Sequence, residues 1–152
     1  MKVVKLDTRV DLTQVHENFL KKEVTPEQQK AFQDEIEAWS KKPEATRGAR
    51  PVMERENMTA TEFLRDIVKQ ALGQVYKSGN IGTLKRTDKI MREFDAVIHS
   101  KEKGGIATFE DDDFKYFRSA FKKAENWQNT PEIAKALIAV DELLESAETT
   151  EV

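Results

Sequence analysis

Hydrophobic positions along the chain follow two different periods. Val4, Leu6, Val10 and Leu12 share one parity, with Thr8 among them, while Lys5, Asp7, Arg9 and Asp11 take the other. A period of two describes an extended segment with one apolar face. Few other stretches read as partner strands. Residues 1–12 are therefore expected to form an arm, laid in a groove of their own domain or on another molecule.

Beyond residue 12 the period becomes helical. Leu12, Val15, Phe19 and Leu20 suggest a short helix. Thr25-Pro26-Glu27-Gln28 then combines a capping threonine, a proline at the first helical position and a glutamine three residues after the cap. Phe32, Ile36 and Trp39 recur on one face, and Pro43 ends that helix. Residues 42–57 hold Pro43, Gly48 and Pro51 among Lys42, Arg47, Arg50 and Arg55, which reads as a loop or linker. Thr59 and Glu62 repeat the capping pattern. The stripe Leu64, Ile67, Val68, Ala71, Leu72 and Val75 that follows is wide enough to make this the central helix.

A further helix is expected from about Leu84, with Ile90, Met91, Phe94, Val97 and Ile98 inward, ending at Gly104-Gly105. Ile106 and Phe109 are expected to plug the core from a connecting loop. Glu110 to Asp113 open the next helix, since carboxylates suit the unpaired N–H groups of a first turn. Phe114, Phe117 and Phe121 line it. Thr130-Pro131-Glu132 starts the last helix, with Ile133, Leu137, Val140 and Leu144 on one face, and residues 148–152 read as a polar tail. The expected fold is all-α: a bundle of five or six helices with an extended N-terminal arm. The expected organisation is an arm at 1–12, an N-terminal helical segment at 13–41, a loop or linker at 42–57, a helical core domain at 58–147 and a tail at 148–152.

Composition narrows the functional classes. The 152 residues carry 25 basic and 28 acidic side chains, a net charge of −3, which demands neither nucleic acid nor an anionic membrane. The absence of cysteine excludes disulfides, thiolate catalysis and cysteine-ligated metals. Charges at Lys2, Lys5 and Asp7 interrupt the apolar run a signal peptide would need, and the longest apolar run, 136–140, is far short of a membrane span. A cytoplasmic location is expected.

No catalytic residue, metal site or cofactor is expected. With Gly104 placed at the sixth position of a calcium-binding loop, Ile106 and Glu110 fall in register at the eighth and twelfth. The ligand positions, however, become His99, Lys101 and Lys103, and two ammonium groups repel a dication. Consecutive carboxylates at Glu110 to Asp113 converge poorly on one ion. His16 and His99 belong to no metal or triad motif.

Two surfaces remain as candidates. The arm and the basic loop, through Val4, Leu6, Val10, Arg47 and Arg50, are expected to bind a protein partner or a second copy. Alternatively Lys77, Lys85, Arg86 and Lys89, around the Gly79-Asn80-Ile81-Gly82 turn, form a helix-turn-helix-like surface for nucleic acid. The run 77–92 is basic and the run 132–151 strongly acidic, so the two could face each other or join copies head to tail.

The string Gly-Gly-Ile-Ala-Thr-Phe-Glu-Asp-Asp-Asp-Phe, the helix after it, Trp127 and Thr130-Pro131-Glu132 give residues 104–147 a likeness to small helical accessory proteins of bacteriophages. The resemblance implies a non-catalytic factor acting through protein contacts, in particle assembly or on a host system, in the host cytoplasm. It implies no site residues.

Overall fold

The computed structural model describes residues 1–15 and 17–151, the side chain of Asn18 excepted. His16 and the last residue of the expected tail, Val152, lie outside them.

Four of the five described α-helices begin where a side chain can accept an unpaired first-turn N–H. Thr25 caps α1 (Pro26–Lys41): its hydroxyl accepts from the Gln28 backbone N–H at 3.2 Å while the Gln28 side-chain Oε1 accepts from the Thr25 N–H at 3.0 Å. Thr59 and Glu62 build the same reciprocal pair at α2 (Ala60–Val75), and Thr130 caps α5 (Pro131–Glu145). Asn80 caps α3 (Ile81–His99) by accepting from the Thr83 N–H at 3.0 Å. That helix therefore starts three residues before the expected Leu84, and takes Gly82 into its first turn. Helix α4 (Asp111–Lys123) has no capping side chain; Asp111, Asp112 and Asp113 occupy its first turn. The expected first helix is reduced to a single 3-10 turn at Glu17–Leu20.

The all-α expectation is overturned. Three strands, β1 (Lys2–Asp7), β2 (Ile106–Glu110) and β3 (Glu148–Glu151), form an antiparallel sheet in the order β2-β1-β3, so the fold is mixed α and β. The expected arm is the central strand. Val4 lies opposite Phe109 on one side and Thr149 on the other, and Leu6 lies opposite Ala107. The expected loop plug is β2, and the polar tail is β3. Two strands with only a handful of apolar residues between them escape a periodicity argument. They are held because β1 offers unpaired N–H and C=O groups along both edges, and burying those unpaired would be costly.

One face of the sheet carries Val4, Leu6, Ala107 and Phe109, all buried, into the helical layer. Helix α2 packs on α3 and α4, α3 on β2, and both α4 and α5 on β1. At the centre, Phe94, Phe109, Phe114 and Phe117 meet with neighbouring ring centroids 5.0 to 6.0 Å apart. Helix α1 takes no part: it has no buried residue.

Candidate functional site

The segment from 23 to 55 leaves the core and returns to it at nearly the same place. Lys21 and Asn57 pair as an isolated antiparallel bridge. The Lys22 N–H donates to the Glu56 carbonyl at 2.8 Å, and the Met58 N–H donates to the Leu20 carbonyl. The Arg55 guanidinium donates to the backbone carbonyls of Lys21 and Lys22. Lys22 Nζ lies 3.1 Å from Glu62 and 3.7 Å from Glu56, and the Glu62 bond, ahead of Glu56, holds its ammonium above the ordinary lysine value. Burial alone would push the Glu62 carboxyl up. The N–H of Thr59 and the Lys22 ammonium outweigh it and leave the carboxyl below its usual range. These bonds form a short stem, and α1 with residues 42–54 is the appendage it carries.

Within the appendage, Phe32, Ile36 and Trp39 share one face of α1 and all three are only half-buried. The returning chain runs beside them. The Arg47 guanidinium lies 4.4 Å from the Trp39 ring centre, and the indole N–H donates to the Gly48 carbonyl at 3.3 Å. Val52, which is 82% exposed, and Met53 line a shallow groove with Ala31 and Phe32. Glu35 and Glu54 flank this groove, and neither carboxylate has an ion-pair partner among the described residues. The site is therefore a shallow, open groove in which Ala31, Phe32, Val52 and Met53 lie beside Gln28 and the carboxylates of Glu35 and Glu54.

The residues expected to bind a partner divide between two regions. Val4, Leu6 and Val10 are buried in the chain's own core and present nothing to another molecule. Arg47 is occupied in stacking on Trp39, while Arg50 is exposed on the appendage. Sequence reasoning found the apolar face of α1 but did not include it among the partner-binding residues. The signal was its narrowness, three large apolar residues in sixteen, against the wide stripe of α2.

The four basic residues proposed for nucleic acid also divide. Lys89 Nζ lies 2.9 Å from both Glu110 and Asp113, and these two carboxylates raise its pKa. Arg86 lies 3.4 Å from Asp113 and over the ring of Tyr116, which stacks in turn on Tyr76 at 4.5 Å. Asp113, in the acidic first turn of α4, is buried. Its charge is held by two cations and the N-terminus of α4. Lys77 and Lys85 alone remain exposed and without an ion-pair partner among the described residues. The basic run thus faces the start of α4, and no ion pair among the described residues joins it to the acidic run at 132–151.

No group of three or more metal-ligating side chains converges among the described residues, and no described helix is long and apolar enough to cross a membrane. In comparisons with known proteins, the chain matches no family model, no curated protein and no solved structure.

Proposed function

We propose that this chain is a non-catalytic protein-interaction factor that presents its α1 appendage to a partner protein. The observation that carries the reading is that α1 buries none of its residues while showing Phe32, Ile36 and Trp39 on one face. A helix of this length draws most of its stability from packing an apolar face, and the apolar face of this one meets its own return loop at Arg47, Gly48, Val52 and Met53. The cleft beside Phe32, Val52 and Met53, edged by Glu35 and Glu54, suits a partner segment with an apolar residue next to lysine or arginine. The likeness of residues 104–147 to phage accessory proteins agrees with a factor working through contacts in the host cytoplasm, in assembly or on a host system.

The test is site-specific photo-crosslinking from position 52 of the full chain in its host. A captured protein should join through a peptide carrying lysine or arginine beside an apolar residue. Capture should fall on the order of tenfold with Phe32→Asp, and likewise with Glu35→Lys plus Glu54→Lys, which spare the apolar face. Leu84→Asp, away from the appendage, should leave it unchanged. Absence of capture, or capture indifferent to both appendage variants, would count decisively against the proposal.

A further inference from the structure

Five large apolar side chains are conspicuously exposed, and three of them sit on two surfaces of opposite charge. Ile81 and Leu84, 69% and 57% exposed, lie on the first turns of α3, with Lys85 four residues after Ile81 on the same stripe and Lys77 in the bend that leads into the helix; both lysines are exposed and have no ion-pair partner among the described residues. Ile138, 58% exposed, lies on the outer face of α5. The i+3, i+4 and i+7 spacings place Asp141, Glu142 and Glu145 on the same stripe, with Lys135 the one base there. Of the three acids only Glu145 has a cation partner among the described residues, Arg118, at 3.8 Å, while Asp141 and Glu142 have none there. Arg9, at the margin of this face, is already committed to Asp7 at 2.8 Å.

The two faces do not neutralise each other within the chain. The part of the basic run that needs a carboxylate finds it in Glu110 and Asp113, or in its own Asp88. What is left over is a basic face with two exposed apolar side chains and an acidic face with one, on different helices. Charges of opposite sign around small apolar contacts are how association surfaces set register and partner.

We infer that copies of this chain associate head to tail, the α3 face of one (Ile81, Leu84, Lys77, Lys85) against the α5 face of the next (Ile138, Asp141, Glu142). Such an interface is heterologous: each copy keeps one free face of each kind, so the contact propagates into a ring or a short filament. Both faces are small, which places the contact among weak, reversible ones. The association is independent of the α1 appendage and of any partner held there.

Solution mass measured by sedimentation tests it. At low ionic strength the mass of the full chain should rise with concentration toward about millimolar. Raising salt to about 1 M, where the screening length falls to about 3 Å, should weaken the dissociation constant on the order of tenfold or more. A variant with Ile81→Ser and Lys85→Ser should remain monomeric, and so should one with Ile138→Ser and Glu142→Ser. An equimolar mixture of the two should give a species of twice the monomer mass and nothing larger, because only one complementary pair of faces survives. That reconstitution also shows that both variants are folded. A wild-type chain that stays monomeric at low salt overturns the proposal, as does association that persists in either variant alone. Binding of anionic phospholipid vesicles through Lys77 and Lys85 by a chain that stays monomeric overturns it too, by assigning the basic face to a lipid surface.

Discussion

Thr8 follows β1 on its inward parity, fully buried among apolar neighbours, and its hydroxyl ties three parts of the chain together. Its O–H donates to the Gly105 carbonyl at 2.7 Å, so the Thr61 hydroxyl 2.8 Å away must donate to Thr8. The Thr8 N–H donates to the same Gly105 carbonyl at 2.8 Å. Gly105 can meet Thr8 this way because it adopts φ +78°, and an added Cβ there would lie 3.0 Å from the Arg9 side chain. Thr8→Val keeps the shape, leaves the carbonyl bonded to the backbone N–H, and strands the buried Thr61 hydroxyl. The expected loss is about 1 to 2 kcal/mol in urea unfolding with an unchanged m-value. Thr8→Val combined with Thr61→Val should recover part of it, since removing both partners leaves no buried group unpaired. Alternation in the first residues placed Thr8 on the apolar side from the sequence alone. Its partners were not legible there, because Thr61 and Gly105 are distant in the chain and hydroxyl pairs leave no periodic trace.

At the level of elements, the local grammar of helix starts was written in the sequence and the long-range pairing was not. Thr25, Thr59 and Thr130 cap the helices their spacing predicts, since a cap is satisfied within four residues. The sheet depends on partners roughly a hundred residues or more away from β1, and β3 carries no apolar residue at all in Glu148–Glu151. Pairing to an exposed edge is decided by where the helices leave β1, which no local window contains. The stem of the appendage is equally non-local, and its ion pairs give it a pH signature. The Glu62 carboxyl is held below its ordinary value, so its contribution is fully present above that value and is lost as pH falls through the lowered one. The Lys22 ammonium is held above its ordinary value, so its contribution is present below that value and lost only at strongly alkaline pH. Glu62→Gln preserves the cap to Thr59 and removes the charge. It should therefore cost under about 1 kcal/mol near neutral pH, as befits a partly exposed pair. Thermal melts of variant and wild type should converge as pH is lowered through the acidic limb. A gap that persists at low pH would assign the effect to the cap and not to the ion pair.

For the whole molecule, the division that matters does not follow the chain's order. Residues at both ends share one sheet, while residues 23–55, early in the sequence, stand outside the core on a stem. Sequence periodicity left open whether the arm at 1–12 lies on its own domain or on another molecule, and placed 13–41 outside the 58–147 core; the arm is the central strand of the sheet, and α1 stands outside the core. Two deletions separate them. Removing residues 1–8 takes away the central strand and the buried side chains of Val4, Leu6 and Thr8, leaving β2 and β3 with no strand between them. Each large apolar side chain lost from a core costs about 2 to 5 kcal/mol, and a domain of this size has a total of about 5 to 15. That chain should show no cooperative unfolding transition in calorimetry. Replacing residues 24–54 by a short glycine-containing turn removes no residue of the buried core and shortens a loop, whose closure then costs on the order of 1 kcal/mol less. The midpoint of thermal unfolding should stay within about 4 °C of wild type. Crosslinking to a partner through the appendage should disappear in the same protein, while concentration-dependent mass at low salt, which draws on α3 and α5, should be retained. Loss of the cooperative transition on this excision would show that the appendage is part of the core, and would remove the structural ground for its role as a presented surface.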